Sequence, residues 1–471
     1  MIEALSQIVG PGHVLTGEAA AGYGRDWTGA YRWTPAAVVR PASTAEVQRV
    51  MAWASATRTA IVPVGGHTGL NGATRAEGAV MISLDRMRAI RDIRPAARVA
   101  VAEAGVVLQT LHEAAATHGL AFPLTFGARG SAQVGGFLST NAGGSNVLRY
   151  GNARALCLGL EVVLPDGRLL DLQSALRKDN TGYDLRDLFI GAEGTLGVIT
   201  AATLALVPAP AAHVTALIGM RGAASALETL HELQAATGGS CEAFELMPAN
   251  YMARLAVLHP ELAAPFDAPV TILAEIAGPD EGALRAAIEG VLARALDRGT
   301  VLDAVLAESG AQRARLWAMR EAAAEVMLTR HPMIDNDIAL PLDRVAEYLT
   351  EMAARLRALD PGADHMVVAH LGDGNIHYTA YPSREDPALR AAIRAAVAAL
   401  AVEMGGTFSA EHGIGLSKRA EMAAHKDPVA LSVMAAIKAA LDPLGIMNPG
   451  KLLPADADVS GTARDAAAGR C

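Results

Sequence analysis

The sequence predicts an α+β protein of two domains, the second an antiparallel sheet covered by helices. Three observations predict it. Short apolar runs of strand length alternate with helical patterns along the chain. Two glycine-rich stretches follow strand-like runs, both in the first half. A proline-marked break at Pro208 and Pro210 separates that half from a run of strands and Ala-rich helices.

Composition bounds the function. The chain has 471 residues, 51% hydrophobic and 19% charged, with a formal net charge of -9. A full core can be buried, and no basic stripe offers a footprint for nucleic acid. Three cysteines, Cys157, Cys241 and Cys471, are widely spaced and form no CxxC pair. They exclude a disulfide framework and a thiolate metal cage, and they suit a reducing compartment. The first ten residues contain Glu3 and lack a basic start with an apolar run. The Ala-rich stretch at 391–401 is short and holds Arg394, so no membrane span is expected. A cytoplasmic protein is the expectation.

The elements follow in order. A strand at 38–41 precedes a helix at 44–56, capped by Ser43 with Glu46 three residues on, as in a capping box. Strands are expected at 60–64, 80–84 and 98–102, a helix at 106–118, and strands at 158–164 and 198–206. These make a first domain at 1–210. Next come a strand at 214–217 and an Ala-rich helix, strands at 242–246 and 270–276, and helices at 281–298 and 311–329. A strand at 338–341, a helix at 342–358, strands at 366–370 and 376–381 and a helix at 387–404 complete a second domain at 211–425. Residues 426–453 should return to the first domain, and 454–471, small and polar, should be disordered.

The first glycine loop holds Pro63, Gly65, Gly66, His67, Thr68, Gly69, Leu70, Asn71 and Gly72. The second holds Gly127, Gly130, Ser131, Gly135 and Gly136 and runs on through Asn141, Gly143 and Gly144. Successive glycines let backbone N–H groups point at one anion. Two such loops suit a diphosphate carrying two rings, whereas one alone would read as a tight turn. Neither is a Rossmann GxGxxG or a P-loop.

His370 closes one apolar run and His377 lies at the start of the next, with Gly372, Asp373, Gly374 and Asn375 between them as turn residues. Two strands joined by a tight turn bring the imidazoles together, which is half a metal site. Glu411 could add a carboxylate, giving a His2Glu set with open positions, the catalytic rather than structural zinc arrangement. The competing readings are a core histidine for His370 and a helix cap or ion-pair partner for Glu411.

Several longer segments then fall in a telling order: Lys178 to Leu185, Phe189 to Thr200, His370 to His377, Ala410 to Gly415, and Asn448 to Lys451. With the two loops they resemble the FAD-linked D-2-hydroxyacid dehydrogenases of the D-lactate and D-2-hydroxyglutarate type. That family lies within the vanillyl-alcohol-oxidase flavoproteins, with their PCMH-type FAD-binding domain. The resemblance covers Trp27 to Leu453. It implies a two-subdomain FAD-binding domain and a substrate cap domain. It implies that the two loops hold the FAD pyrophosphate. Glu193, Gly194, Gly197 and Ile199 would lie against adenosine and flavin, and Asn448 near the flavin. His370, His377 and Glu411 match the family's divalent-metal ligands, with zinc favoured by ligand type. His412 matches the proton acceptor, an imidazole whose ordinary pKa near ~6.5 suits the task. Arg320 matches the arginine that takes the substrate carboxylate in a bidentate fork; otherwise it is a surface arginine paired with Glu321 or Glu325. Hydride would pass from substrate C2 to flavin N5. The electron acceptor stays open between a quinone, an electron-transfer flavoprotein and a cytochrome, and a homodimer stays open too.

Four positions depart from the pattern. Asp335 stands where the hydroxyglutarate group has a lysine, Ala324 where it has a threonine, and Thr379, a substrate-contact position, where it has an asparagine. An anion in place of a cation penalises a second substrate carboxylate, which favours D-lactate or a similar acid over D-2-hydroxyglutarate. His67 follows Gly65 and Gly66, the tripeptide that carries covalent flavin in oxidases resembling berberine-bridge enzyme. The alternatives are therefore a metal-independent alcohol or phenol oxidase with covalently linked FAD, and a non-catalytic flavin-binding protein.

Overall fold

The computed structural model describes residues 1–455, so nearly all of the tail expected to be disordered lies outside the described residues. The chain divides into two compact units. One comprises Met1–Gly143, Asn152–Ala209 and the chain from Glu411, and the other Gly144–Gly151 and Pro210–Ala410.

The first unit holds two principal sheets. The smaller runs in the order Val14–Leu15, Ala37–Val39, Val80–Ser83, Ile61–Val64, its last three strands parallel. Helix Thr44–Thr57 makes the crossover and buries Val47, Val50, Met51 and Ala54. Ser43 Oγ accepts from Glu46 N at 3.3 Å, and the Glu46 carboxylate reaches back to Ala42 N at 2.8 Å. The start of this helix is thus capped as the sequence indicates. The second sheet orders Ile90–Arg94, Val99–Glu103, Val198–Ala205, Cys157–Val163 and Leu169–Leu172, all antiparallel. The C-terminal segment returns beside Ile61, whose N donates to Ile446 O at 2.8 Å and whose O accepts from Asn448 N at 2.7 Å.

The second unit is one seven-stranded sheet in the order Val301–Leu306, Ala212–Met220, Val270–Gly278, Cys241–Pro248, Asp364–His370, Asn375–Tyr381, Ile334–Ala339. Every pairing is antiparallel. One face packs under Ala223–Thr237, Glu281–Asp297, Val345–Leu359 and Pro387–Glu403 through residues such as Leu230, Ile288, Tyr348 and Ile393. The other packs Leu217, Met247, Leu273, Met366 and Val368 against Tyr251, Leu316, Met319 and Val326 of Ala249–Leu258, Gly310–Glu321 and Ala323–Leu328. Strand period 2 then fixes which side chains share this second face.

Several expectations change. The return to the first unit begins at Glu411 rather than 426, because backbone groups of 412–417 bond to Asn71 and Glu193. Glu411 and His412 therefore belong to the first unit. Gly144, expected on a cofactor loop, goes with the second unit, where Arg149 and Tyr150 of the same short segment bind Glu242 at 2.9 and 2.6 Å. The strand expected at 338–341 is Ile334–Ala339, and the helix expected at 311–329 breaks at Ala322. Among the described residues no helix is long and apolar enough to cross a membrane.

Candidate active site

In the first unit the two glycine loops meet backbone to backbone. A methyl group on Gly66 would lie 1.9 Å from the Ser131 carbonyl oxygen, so only glycine allows the approach. His67, at φ 59°, turns its ring toward Tyr23 and Trp33, with centroids 6.3 and 5.8 Å away. Its Nε2 bonds the Arg25 carbonyl oxygen, while Nδ1 is buried without a partner among the described residues.

Glu193 stands at the centre of what surrounds these loops. It is 5% exposed and sits at φ 49°. Its backbone N donates to Ser139 O at 2.8 Å, at the end of the second loop. Its carboxylate accepts from Ile414 N at 2.6 Å and Gly415 N at 2.8 Å. Burial raises its pKa, and these two N–H groups oppose the rise. Asn448 Nδ2 donates to the Glu193 and Ala73 carbonyls at 2.7 and 3.1 Å. Asn71 Nδ2 donates to His412 O at 2.6 Å. The carboxylate expected to meet the cofactor is thus committed to the His412 loop.

Other residues expected at the cofactor also have partners within the protein. The Asn141 side chain accepts from Arg154 N at 2.9 Å. Gly197 packs against Val162, Val163 and Phe189, and Ile199 is buried in its strand. What remains fits FAD. Asn448 Oδ1 is a buried acceptor without a partner among the described residues, suited to a flavin N–H. Lys451 is 8% exposed. Burial, followed by Arg75 and Arg419, pushes its pKa down to about 8, and its Nζ donates to Pro449 O at 3.1 Å.

In the second unit the chemistry gathers on the face beneath Gly310–Glu321. His370 and His377 sit on neighbouring strands, with centroids 5.4 Å apart and rings edge to face. His370 Nδ1 bonds Glu245 Oε1 at 2.8 Å, and its Nε2 bonds Arg320 Nη2 at 3.3 Å. A guanidinium can only donate, so Nε2 is the acceptor and Nδ1 carries the proton. Arg320 Nε reaches Glu245 Oε2 at 2.7 Å, so its partner is neither Glu321 nor Glu325. Burial alone would raise Glu245, but His370 and Arg320 hold it below the ordinary carboxylate value. His377 Nδ1 lies 3.9 Å from Asp337 Oδ1. Asp337 accepts from Asn375 Nδ2 at 2.9 Å and Ala410 N at 3.2 Å. Thr379, 1% exposed, faces Asp335 across the strands at 3.4 Å.

Glu245 and Asp337 were missed in the sequence. The one signal for Glu245 is a charged residue inside a strand-like run, and Asp337 falls just before the run expected at 338–341. Two further buried glutamates share the sheet. Glu275 accepts from Arg313, Trp317 and Thr215, and Glu242 from Arg149 and Tyr150.

Glycine loops on a two-sheet unit and a buried Arg–Glu–His cluster on a helix-covered sheet fit a flavin-binding oxidoreductase. Comparison with known proteins names the family. Residues 35–173 match the FAD binding domain model and residues 209–452 the model for the C-terminal domain of FAD linked oxidases. The chain is similar to the mitochondrial D-2-hydroxyglutarate dehydrogenase of Bos taurus, 38% identical over 97% of this chain and 84% of the relative. It is also similar to the D-2-hydroxyglutarate dehydrogenases of Xanthomonas citri pv. viticola (38%, covering 91% and 92%) and Stutzerimonas stutzeri (36%, covering 97% and 99%). In fold it resembles p-cresol methylhydroxylase (TM-score 0.74, 15% identity, 96% of each chain). It also resembles alkyldihydroxyacetonephosphate synthase (TM-score 0.74, 18% identity, 96% of this chain and 85% of that one). The chain belongs to the FAD-linked D-2-hydroxyacid dehydrogenase family.

Proposed function

We propose that this enzyme oxidises a D-2-hydroxy acid bearing one carboxylate, D-lactate being the simplest, with a divalent metal held by His370, His377 and Glu411. The observation that carries the reading is Arg320. Its bonds to Glu245 and His370 use Nε and Nη2 and leave Nη1 for a substrate carboxylate. His412 takes the hydroxyl proton as C2 gives up its hydride. Bound FAD supplies the hydride acceptor.

The metal reading rests on chemistry as well as resemblance. His370 has a carboxylate behind it, Glu245 hydrogen-bonded to Nδ1 at 2.8 Å, the usual support for a ligating histidine, and the Asp337 carboxylate lies 3.9 Å from His377 Nδ1. A metal would take the His370 Nε2 lone pair that otherwise accepts from Arg320, releasing Nη2 to join Nη1 as a fork for the substrate carboxylate. Bound there, the metal would act as a Lewis acid on the substrate hydroxyl. Chelation should remove most turnover with FAD retained, and zinc should restore it. Full activity in metal-free protein would rule the metal out.

Asp335, beside Thr379 on the same face as His377, favours the monocarboxylate. D-2-hydroxyglutarate is the second reading, favoured by what the relatives are named for. Rates on the two acids, measured together, decide, and a strong preference for the dicarboxylate would overturn the first. His67 has one nitrogen on Arg25 and its ring against Tyr23 and Trp33, which favours unlinked FAD. Acid precipitation should leave the yellow colour in the supernatant, and a yellow pellet would contradict this.

A further inference from the structure

Residues 412–415 are held from two directions. Asn71, at the end of the first glycine loop, donates from Nδ2 to His412 O at 2.6 Å, and its own carbonyl accepts from Leu416 N and Ser417 N at 2.8 and 3.2 Å. Glu193, tied to the second loop through Ser139 O, receives Ile414 N and Gly415 N on its two carboxylate oxygens. Between the two grips lies Gly413 at φ 74°, where a methyl group would stand 2.6 Å from Glu193 Oε1. Asn71 is 3% exposed and Glu193 5%, so water does not compete for these bonds. Asn448 Nδ2 closes the assembly by bridging the Ala73 and Glu193 carbonyls.

We propose that Asn71 and Glu193 are positioning residues that fix the His412 backbone relative to the FAD loops. Neither needs to touch substrate. Each acts by setting where the His412 imidazole stands, and each is anchored to one of the two loops expected to hold the pyrophosphate. The cofactor seat and the proton acceptor's loop form one hydrogen-bonded unit within this half of the chain. The inference rests on His412 being the base.

The test uses FAD-loaded, full-length Asn71→Ala and Glu193→Gln, with His412→Ala in parallel. Two quantities are read: amide hydrogen exchange over 412–417, and kcat against KM for a D-2-hydroxy acid that reduces the flavin. Losing the charge-assisted pair in Glu193→Gln should speed exchange and lower kcat by ~10–100-fold. Asn71→Ala should do so by ~3–10-fold. KM should change by less than ~3-fold in both. His412→Ala should lose turnover with exchange unchanged. Wild-type exchange in both Asn71→Ala and Glu193→Gln overturns the proposal. So does faster exchange with unchanged kcat where His412→Ala is inactive. Full turnover in His412→Ala sinks the base reading instead, while exchange still judges the two grips. If Glu193→Gln fails to fold, Asn71→Ala carries the same test.

Discussion

The loops of the first unit and the sheet face of the second are built from different materials. The loops rely on main chain and amides: close glycines, Asn71, Asn448, and one carboxylate that faces backbone N–H groups. The sheet relies on charge, with three buried glutamates each meeting an arginine: Glu242 with Arg149, Glu245 with Arg320, Glu275 with Arg313. Main-chain recognition suits a cofactor shared by many chemistries. Paired charges suit a small anionic substrate. Of the three pairs, Glu245–Arg320 alone hydrogen-bonds one histidine ring from both sides among the described residues, Glu245 at His370 Nδ1 and Arg320 at Nε2, whereas Glu242 has His213 Nε2 only at 3.9 Å.

Mutations should separate the two regions. The largest effect is expected in the His412 loop: His412→Ala should lower kcat by ~10²–10⁴ with FAD retained, read by steady-state rates and flavin content. Near-normal turnover would remove His412 from the chemistry. Next, Arg320→Lys should lower kcat/KM by ~10–100-fold, mostly through KM, because an ammonium cannot reproduce the fork. An unchanged KM would reduce Arg320 to a partner of Glu245.

The smallest effect belongs to the Glu275–Arg313 pair. Glu275→Gln should cost roughly 1–3 kcal/mol of stability and leave KM unchanged, measured by denaturant melts. Burial would raise the Glu275 carboxyl, but the Arg313 hydrogen bonds and charge bring it below its ordinary value. A depressed carboxylate contributes stability above its unfolded pKa and loses it as pH falls through the folded one. The gap between wild type and variant should therefore be constant near neutrality and close only in acid, below ~4. A gap that widens in acid would contradict the pairing.

The two regions also differed in legibility. Apolar runs gave most strands of the three main sheets, and the glycine loops stood out because sterics leave few residue choices there. The edge strands Val14–Leu15, Ile90–Arg94, Leu169–Leu172 and Val301–Leu306 were missed, because short or exposed edges carry little apolar alternation. Ile334–Ala339 was displaced because Asp335, Asn336 and Asp337 read as loop, though buried partners on Asn375–Tyr381 satisfy much of their polarity. Arg320 and His412 were legible only through resemblance. Glu245 was not legible at all, since nothing local says that an arginine 75 residues away and a histidine 125 away would meet it.

Anaerobic mixing of the FAD-loaded enzyme with the D and L enantiomers of lactate and 2-hydroxyglutarate tests the central claim most directly. Oxidation at C2 of a D-2-hydroxy acid predicts that flavin absorbance bleaches with D acids alone, fastest with D-lactate. Bleaching by the L acids, or by none of the four, would contradict it.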